Sequence, residues 1–258
     1  LAGAMMALAM LSLAAIPEDD NHQHGHGKAE YFSSAFEGLL ILIAAVAIGY
    51  AAIERLLNPQ AIDAVGIGLA VSVIASVINL ATSRILMNVG RKYRSITLEA
   101  DAHHLMTDVW TSAGVIAGVG LVWLTGWCWV GPVIALLVAL NIVWTGWQLL
   151  QRSAAGLMDV SIPEEEIKAI ENVLNGYRQQ GLEFHALRTR QAGTRAFISL
   201  HVLVPGAWSV QRGHDWSERI EADIRLAVPN ANITTHLEPI EDPVSLVDQG
   251  LDRLGLEE

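Results

Sequence analysis

Four stretches of this chain, 32–57, 62–89, 98–125 and 130–150, are apolar for longer than the ~20 residues a helix needs to cross a bilayer. No other feature limits the architecture as much. In hydrocarbon every backbone N–H and C=O must be paired within the segment, so such stretches become helices packed into a bundle. A fifth stretch, 1–16, is apolar but slightly short. It carries no charge, so it lacks the basic start of a signal peptide, and it reads as the tail of a transmembrane helix whose beginning is missing. Composition agrees. Hydrophobic residues make up 52% and charged residues 17%, against roughly 25% charged in an average soluble protein, and mean hydropathy is +0.37. These values exclude a disordered chain, a coiled coil and an ordinary cytosolic enzyme. The single cysteine, Cys128, excludes an internal disulfide and any CxxC motif, and among tryptophans it is expected to be inert.

Lys and Arg orient the spans. Lys28, the group Arg84, Arg91, Lys92 and Arg94, and Arg152 all fall on one side if the spans alternate, while Arg55 lies on the other. The 17–31 loop, the 90–97 loop and everything after 158 are therefore expected in the cytoplasm. Trp123, Trp127 and Trp129 mark the far interface, and Gly114 and Gly118 form a GxxxG that favours close helix packing.

The net charge of −11 is uneven. Residues 1–158 hold 10 acids and 7 bases, and residues 159–258 hold 17 acids and 9 bases. An acidic, soluble second unit argues against nucleic acid and against docking on anionic lipid; it suits cationic ligands or serves solubility alone. Ser161-Ile162-Pro163-Glu164 reads as a capped helix start, with Ile167, Ile170, Val173, Leu174 and Tyr177 at helical spacing. Residues 184–191 and 195–204 read as a hairpin around Gly193, 210–227 as a second helix stopped by Pro229, and 232–238 as a third strand. The order α-β-β-α-β fits a small ferredoxin-like sheet. The expected organisation is thus a membrane α-helical bundle over 1–158, an α+β ferredoxin-like domain over 159–243, and a tail, 244–258, that is a short amphipathic helix or disordered.

Metal-ligating side chains gather in three places. Asp101, His104 and Asp108 lie at i, i+3 and i+7 on one face of the span that opens near 98, and His104 and Asp108 are ~6 Å apart along its axis, close enough to share one ion. Ionisable groups inside a span are functional by default; the alternative is a polar clamp between helices. Two ligands do not complete a zinc site, so water or sequence preceding residue 1 would supply the rest. In the 17–31 loop, Asp19, His22 and His26 recur at three and four, a mixture of ligands that suits Zn2+; the alternative is a solvated polar loop. In the soluble unit, His185 and His201 fall on adjacent strands, His236 and Glu238 share a face of the third, and His214 lies on the second helix, so that three strands could converge them on a metal.

The His104-xxx-Asp108 helix, the Asn-His-x-x-Gly-His-Gly-Lys-Ala-Glu loop at 21–30 and the soluble α-β-β-α-β unit together resemble the cation diffusion facilitator family, closest to its bacterial zinc and iron efflux branch, over nearly the whole chain. The resemblance implies six transmembrane helices, a homodimer in the cell inner (plasma) membrane surrounded by lipid, a cytoplasmic domain like a metallochaperone, and exchange of a divalent cation for protons by alternating access. It implies that His104 and Asp108 are transport ligands, paired with an Asp-xxx-Asp on the second helix. It also implies that Asp19, His22 and His26 form the loop site, and that His185, His201, His214 and His236 form the cytoplasmic site, with Glu238 where relatives often have Asp. The chain starts just after the expected position of the Asp pair, so as it stands it is expected not to transport. Gly131 replaces an Asp found in many relatives. The expected cargo is Zn2+, with Fe2+, Cd2+ or Mn2+ as alternatives. The rival function is a membrane-tethered metal sensor or storage protein without vectorial transport; a passive channel is another. An intramembrane metalloenzyme is disfavoured because no HExxH occurs.

Overall fold

The computed structural model, which describes residues 2–58, 66–127 and 129–246, divides into two units, Leu1–Leu157 and Met158–Glu258. Cys128, the start of the 62–89 stretch and most of the 244–258 tail lie outside the described residues; of the tail, Pro243–Leu246 forms a single 3-10 turn.

The first unit consists of α1 (Ala2–Ala14), α2 (Ala29–Leu57), α3 (Gly66–Tyr93), α4 (Ile96–Thr125) and α5 (Val130–Leu157). Helices α2 to α5 are long and apolar enough to cross a membrane. Helix α1 has 13 described residues, or ~20 Å, short of a ~30 Å hydrocarbon core. Two boundaries differ from the sequence expectation. The 90–97 loop shrinks to Arg94 and Ser95, because α3 continues through Arg91 and Lys92, whose charges suit a helix C-terminus. Helix α5 runs to Leu157 rather than 150, because its polar last turns find partners. Arg152 Nη1 lies 2.9 Å from Glu99 Oε2, and the Ser153 and Ser34 hydroxyls are 2.7 Å apart. The serine Ser95 caps α4, accepting from the Leu98 N–H, and donates its own hydroxyl to the carboxylate of Glu30 on α2, which also accepts from the Thr97 N–H. An acid therefore sits at the positive end of α4, where it is stabilising.

Helix α2 packs on α5, α3 on α4, and α1 on α2 and α4. Small residues allow these approaches: a Cβ at Gly114 would lie 2.9 Å from the Val138 side chain, and one at Gly118 would lie 3.2 Å from Gly131 Cα. The GxxxG thus makes the close helix contact that its spacing favours, and its partner is α5. Ile41, Ala45, Ala100, Ile142 and Leu149 fill the centre, while Val46, Trp123 and Leu137 point outward as a lipid-facing surface requires.

The second unit consists of α6 (Glu164–Arg178), β1 (Glu183–Ala192), β2 (Arg195–Val204), α7 (Val210–Ala227) and β3 (Ala231–Pro239). Pro163, not Ser161, occupies the N-cap of α6 and offers no side-chain acceptor; the Ser161 hydroxyl instead meets Thr189 Oγ1 at 2.6 Å. Three glutamates in the first turn supply the favourable charge. The sheet order is β1-β2-β3, with β1 and β2 antiparallel and β2 and β3 parallel through the α7 crossover. Ile198, Leu200 and Val202 of β2 pack with Ile170, Leu174, Ile220 and Ile224 of the helices. Alternation sends Phe197, Ser199 and His201 to the opposite face.

Candidate metal sites

Strand register builds the soluble cluster. His201 lies directly opposite His185 on one side and His236 on the other, and Leu203 pairs with Glu238. Three histidines therefore stand in a row across the sheet, on the face away from the helices. A bulge after His185, with Ala186 in the left-handed region at φ 49°, lets β1 shift register without moving that histidine from its pair. His185 Nε2 lies 3.1 Å from His201 Nδ1 and 3.0 Å from Glu238 Oε2, and His201 Nδ1 lies 3.1 Å from Glu238 Oε1. In a tetrahedral zinc site with bonds of ~2.0–2.2 Å, neighbouring ligand atoms are separated by roughly 3.3 Å, so the two nitrogens and the carboxylate that bridges them already sit near that spacing. His185 and Glu238 are largely buried and His201 is four-fifths buried, so rotamers here are held by packing. His236 lies further out, 67% exposed, with Nε2 3.6 Å from Glu238 Oε1. His214 is exposed on α7. The helices cover the other face of the sheet, so this chain does not bring His214 to the cluster.

The loop cluster is made by turns. Asp19 Oδ1 accepts from the backbone N–H of His22 at 2.7 Å and of Asn21 at 2.9 Å. Gly25, at φ 77°, turns the chain so that its N–H reaches the His22 carbonyl and His26 returns to Asp19. His22 Nδ1 and His26 Nε2 each lie 3.4 Å from an Asp19 oxygen. His26 Nδ1 is 3.3 Å from the Ile16 carbonyl oxygen. The two contacts hold the His26 ring between Ile16 and Asp19. The Asp19 carboxyl is held below its ordinary range, first by the His22 N–H, then by the Asn21 N–H and the imidazoles of His26 and His22. It is therefore ionised and ready to ligate. Glu30, at the end of the 21–30 motif, is turned away into its role at the α4 terminus.

Within the bundle, Asp101, His104 and Asp108 share one face of α4, as their spacing predicts. Asp108 is exposed, its Oδ2 3.5 Å from Asn79 Nδ2 of α3. His104 Nδ1 instead lies 3.4 Å from Oε2 of Glu37 on α2, a residue the sequence reading leaves outside the site. Glu37 is 1% exposed. Among the described residues, three ligand atoms converge only in the loop and in the soluble unit, not here. A separate cavity of about 440 Å3 between α2, α4 and α5 begins at Thr111, one turn beyond Asp108. Its walls are almost wholly apolar and its charged member is the cation Arg55, a poor lining for a divalent cation.

Comparison with known proteins accords with this arrangement. The family profile described as the cation efflux transmembrane domain matches residues 1–158, and the one described as the cation efflux protein, cytoplasmic domain, matches residues 162–240. The transporter sll1263 of Synechocystis sp. is 51% identical over 245 residues, covering 95% of this chain and 79% of that protein. The cation-efflux pump FieF of Shewanella oneidensis is 30% identical over 228 residues, covering 88% and 76%. Among solved structures, the metal-bound C-terminal domain of the CzcD transporter from Thermotoga maritima is 26% identical, covers 30% of this chain and 91% of that domain, and superposes with a TM-score of 0.28. The chain belongs to the cation efflux family, the cation diffusion facilitators. It is a multi-pass membrane protein of a transporter family, and its C-terminal unit is cytoplasmic.

Proposed function

We propose that this member of the cation efflux family exports a divalent metal cation, Zn2+ foremost, across the inner membrane in exchange for protons, and does so as a homodimer. The observation that carries the proposal is an ionisable pair, His104 and Asp108, on one face of a membrane-spanning helix. Such groups are costly in a bilayer and are kept for ion pathways and proton relays. Binding a metal requires neutral imidazole and ionised carboxylate, so it releases protons, and protons arriving from the far side displace the metal. Imidazole in the donor set suits Zn2+, Fe2+ or Cd2+; carboxylates alone would suit Mn2+. The cytoplasmic cluster of His185, His201 and Glu238, with His236 at its margin, binds the same ion. His214 is free to ligate from its exposed position on α7 where another copy approaches. Metal bound there favours the conformation that best presents those ligands and so biases the dimer.

The test is zinc uptake into proteoliposomes by the reconstituted full-length protein under an imposed pH gradient. Gradient-dependent uptake that is lost in Asp108→Ala establishes the antiporter. The rival, a tethered metal sensor or store, is favoured by the two three-ligand clusters lying outside the spans. It predicts zinc binding with no flux, and unchanged binding in Asp108→Ala.

A further inference from the structure

We infer that Glu37 is an additional metal ligand of the intramembrane site and sets its choice of cation. The inference rests on reading His104 and Asp108 as transport ligands. Glu37 lies eight residues into α2 and is almost completely buried, yet neither carboxylate oxygen has a hydrogen-bond partner, and nor does His104 Nδ1, which faces it. The Nδ1–Oε2 separation of 3.4 Å is close to the roughly 3.3 Å between neighbouring ligand atoms of a tetrahedral zinc. An anion buried without donors is strongly disfavoured unless a cation or a hydrogen-bond donor compensates it. No Lys or Arg ion pair reaches Glu37 among the described residues, and a second acid, Asp101, one turn before His104, is among the charges that act on it. A buried acid and an imidazole that face each other in a span, with a second acid in electrostatic range, are satisfied by a divalent cation.

The fold also makes room for this carboxylate. A Cβ on Gly3 of α1 would lie 1.8 Å from Glu37 Oε1, so the absence of a side chain at position 3 lets the acid occupy the junction of α1, α2 and α4. Adding Glu37 to His104 and Asp108 gives one nitrogen and two carboxylates. That donor set is harder than a His–Asp pair, and it widens acceptance from Zn2+ toward Fe2+ and Mn2+.

The experiment measures initial uptake of Zn2+ and of Mn2+ into proteoliposomes by the full-length protein, together with its thermal unfolding in detergent, for wild type, Glu37→Gln, Glu37→Asp and Asp108→Ala. Glu37→Gln keeps size and shape beside Gly3 but removes the charge. Its KM for Zn2+ is expected to rise by about tenfold or more and that for Mn2+ by a larger factor, so the preference for Zn2+ increases, while the melting temperature is unchanged or higher. Glu37→Asp recovers part of both. The inference is overturned if Asp108→Ala abolishes transport while Glu37→Gln changes neither KM nor the Zn2+-to-Mn2+ ratio. It is also overturned if Glu37→Gln lowers uptake of both ions equally along with the melting temperature, which is the signature of a structural residue. Undiminished transport in Asp108→Ala instead removes the underlying site, and this inference with it.

Discussion

Replacing Glu238 by Gln tests the soluble cluster at its most connected member. Its two oxygens lie 3.0 and 3.1 Å from the nitrogens of His185 and His201, so one substitution removes the anionic ligand while leaving volume and strand register intact. Structural zinc sites bind with ~10–16 kcal/mol shared over four ligands, so one ligand is worth about 3 kcal/mol, on the order of a hundredfold in affinity. The assay is thermal unfolding of a fragment spanning 159–246, which carries its own hydrophobic core. At a Zn2+ concentration one hundred times the wild-type Kd, the wild-type fragment gains about 2.7 kcal/mol and the variant about 0.4. At ~4–8 °C per kcal/mol for a domain of this size, zinc raises the wild-type melting temperature by about 11–22 °C and that of Glu238→Gln by about 2–3 °C. Far-UV circular dichroism without zinc should be identical for the two. Equal zinc-induced shifts in both would refute the assignment of Glu238 as a ligand.

Two further outcomes concern stability. Tyr177→Phe removes a 2.6 Å hydrogen bond from the phenol to Asp223 across the α6–α7 contact and should cost the same fragment roughly 1–2 kcal/mol in urea unfolding. Burial first, then Asp223, pushes the phenol up to about 12. The folded state therefore favours the neutral phenol, and this contribution is complete below the ordinary value near ~10 and is lost as pH rises through about 12; a wild-type advantage over Tyr177→Phe that stays flat from pH 9 to 12 contradicts it. Ser95→Ala removes both the cap of α4 and a donor to the buried Glu30, and should destabilise the full-length protein in detergent by about 1–2 kcal/mol; an unchanged melting temperature would show that Thr97 alone suffices.

The soluble fold is legible because each element carries its own punctuation. Helix α7 spans Val210–Ala227 as its spacing predicts, since Ser209 accepts from the Arg212 N–H at one end and Pro229 follows the other. Strand β2 matches because strict alternation separates Ile198, Leu200 and Val202 from Phe197, Ser199 and His201. Helix ends near the bilayer surface are less legible. Apolar composition stops at the interface, while the hydrogen-bond ladder continues through Arg91, Lys92, Arg152 and Ser153 wherever these find water or a partner. Ser161 has the composition of a cap but spends its hydroxyl on Thr189, a choice fixed by the tertiary contact of that segment with β1.

At the sites, ligand identity is legible and ligand geometry is not. The sequence places histidines on three strands. Only register brings His185, His201 and Glu238 within 3.1 Å, and the bulge that accommodates this passes through an alanine at positive φ, which carries no local signal. Glu37 shows the opposite failure. Its signal is present, since an acid five residues into the 32–57 stretch sits ~8 Å along the span and is functional by default. Its partner is what cannot be read. The contact with His104 depends on how α2 meets α4, and the carboxylate fits there because residue 3, on a helix distant in sequence, has no side chain. Spacing rules speak of one helix at a time. A ligand set spread over several helices is decided by packing, and here the packing hinges on a glycine that periodicity treats as one more small residue.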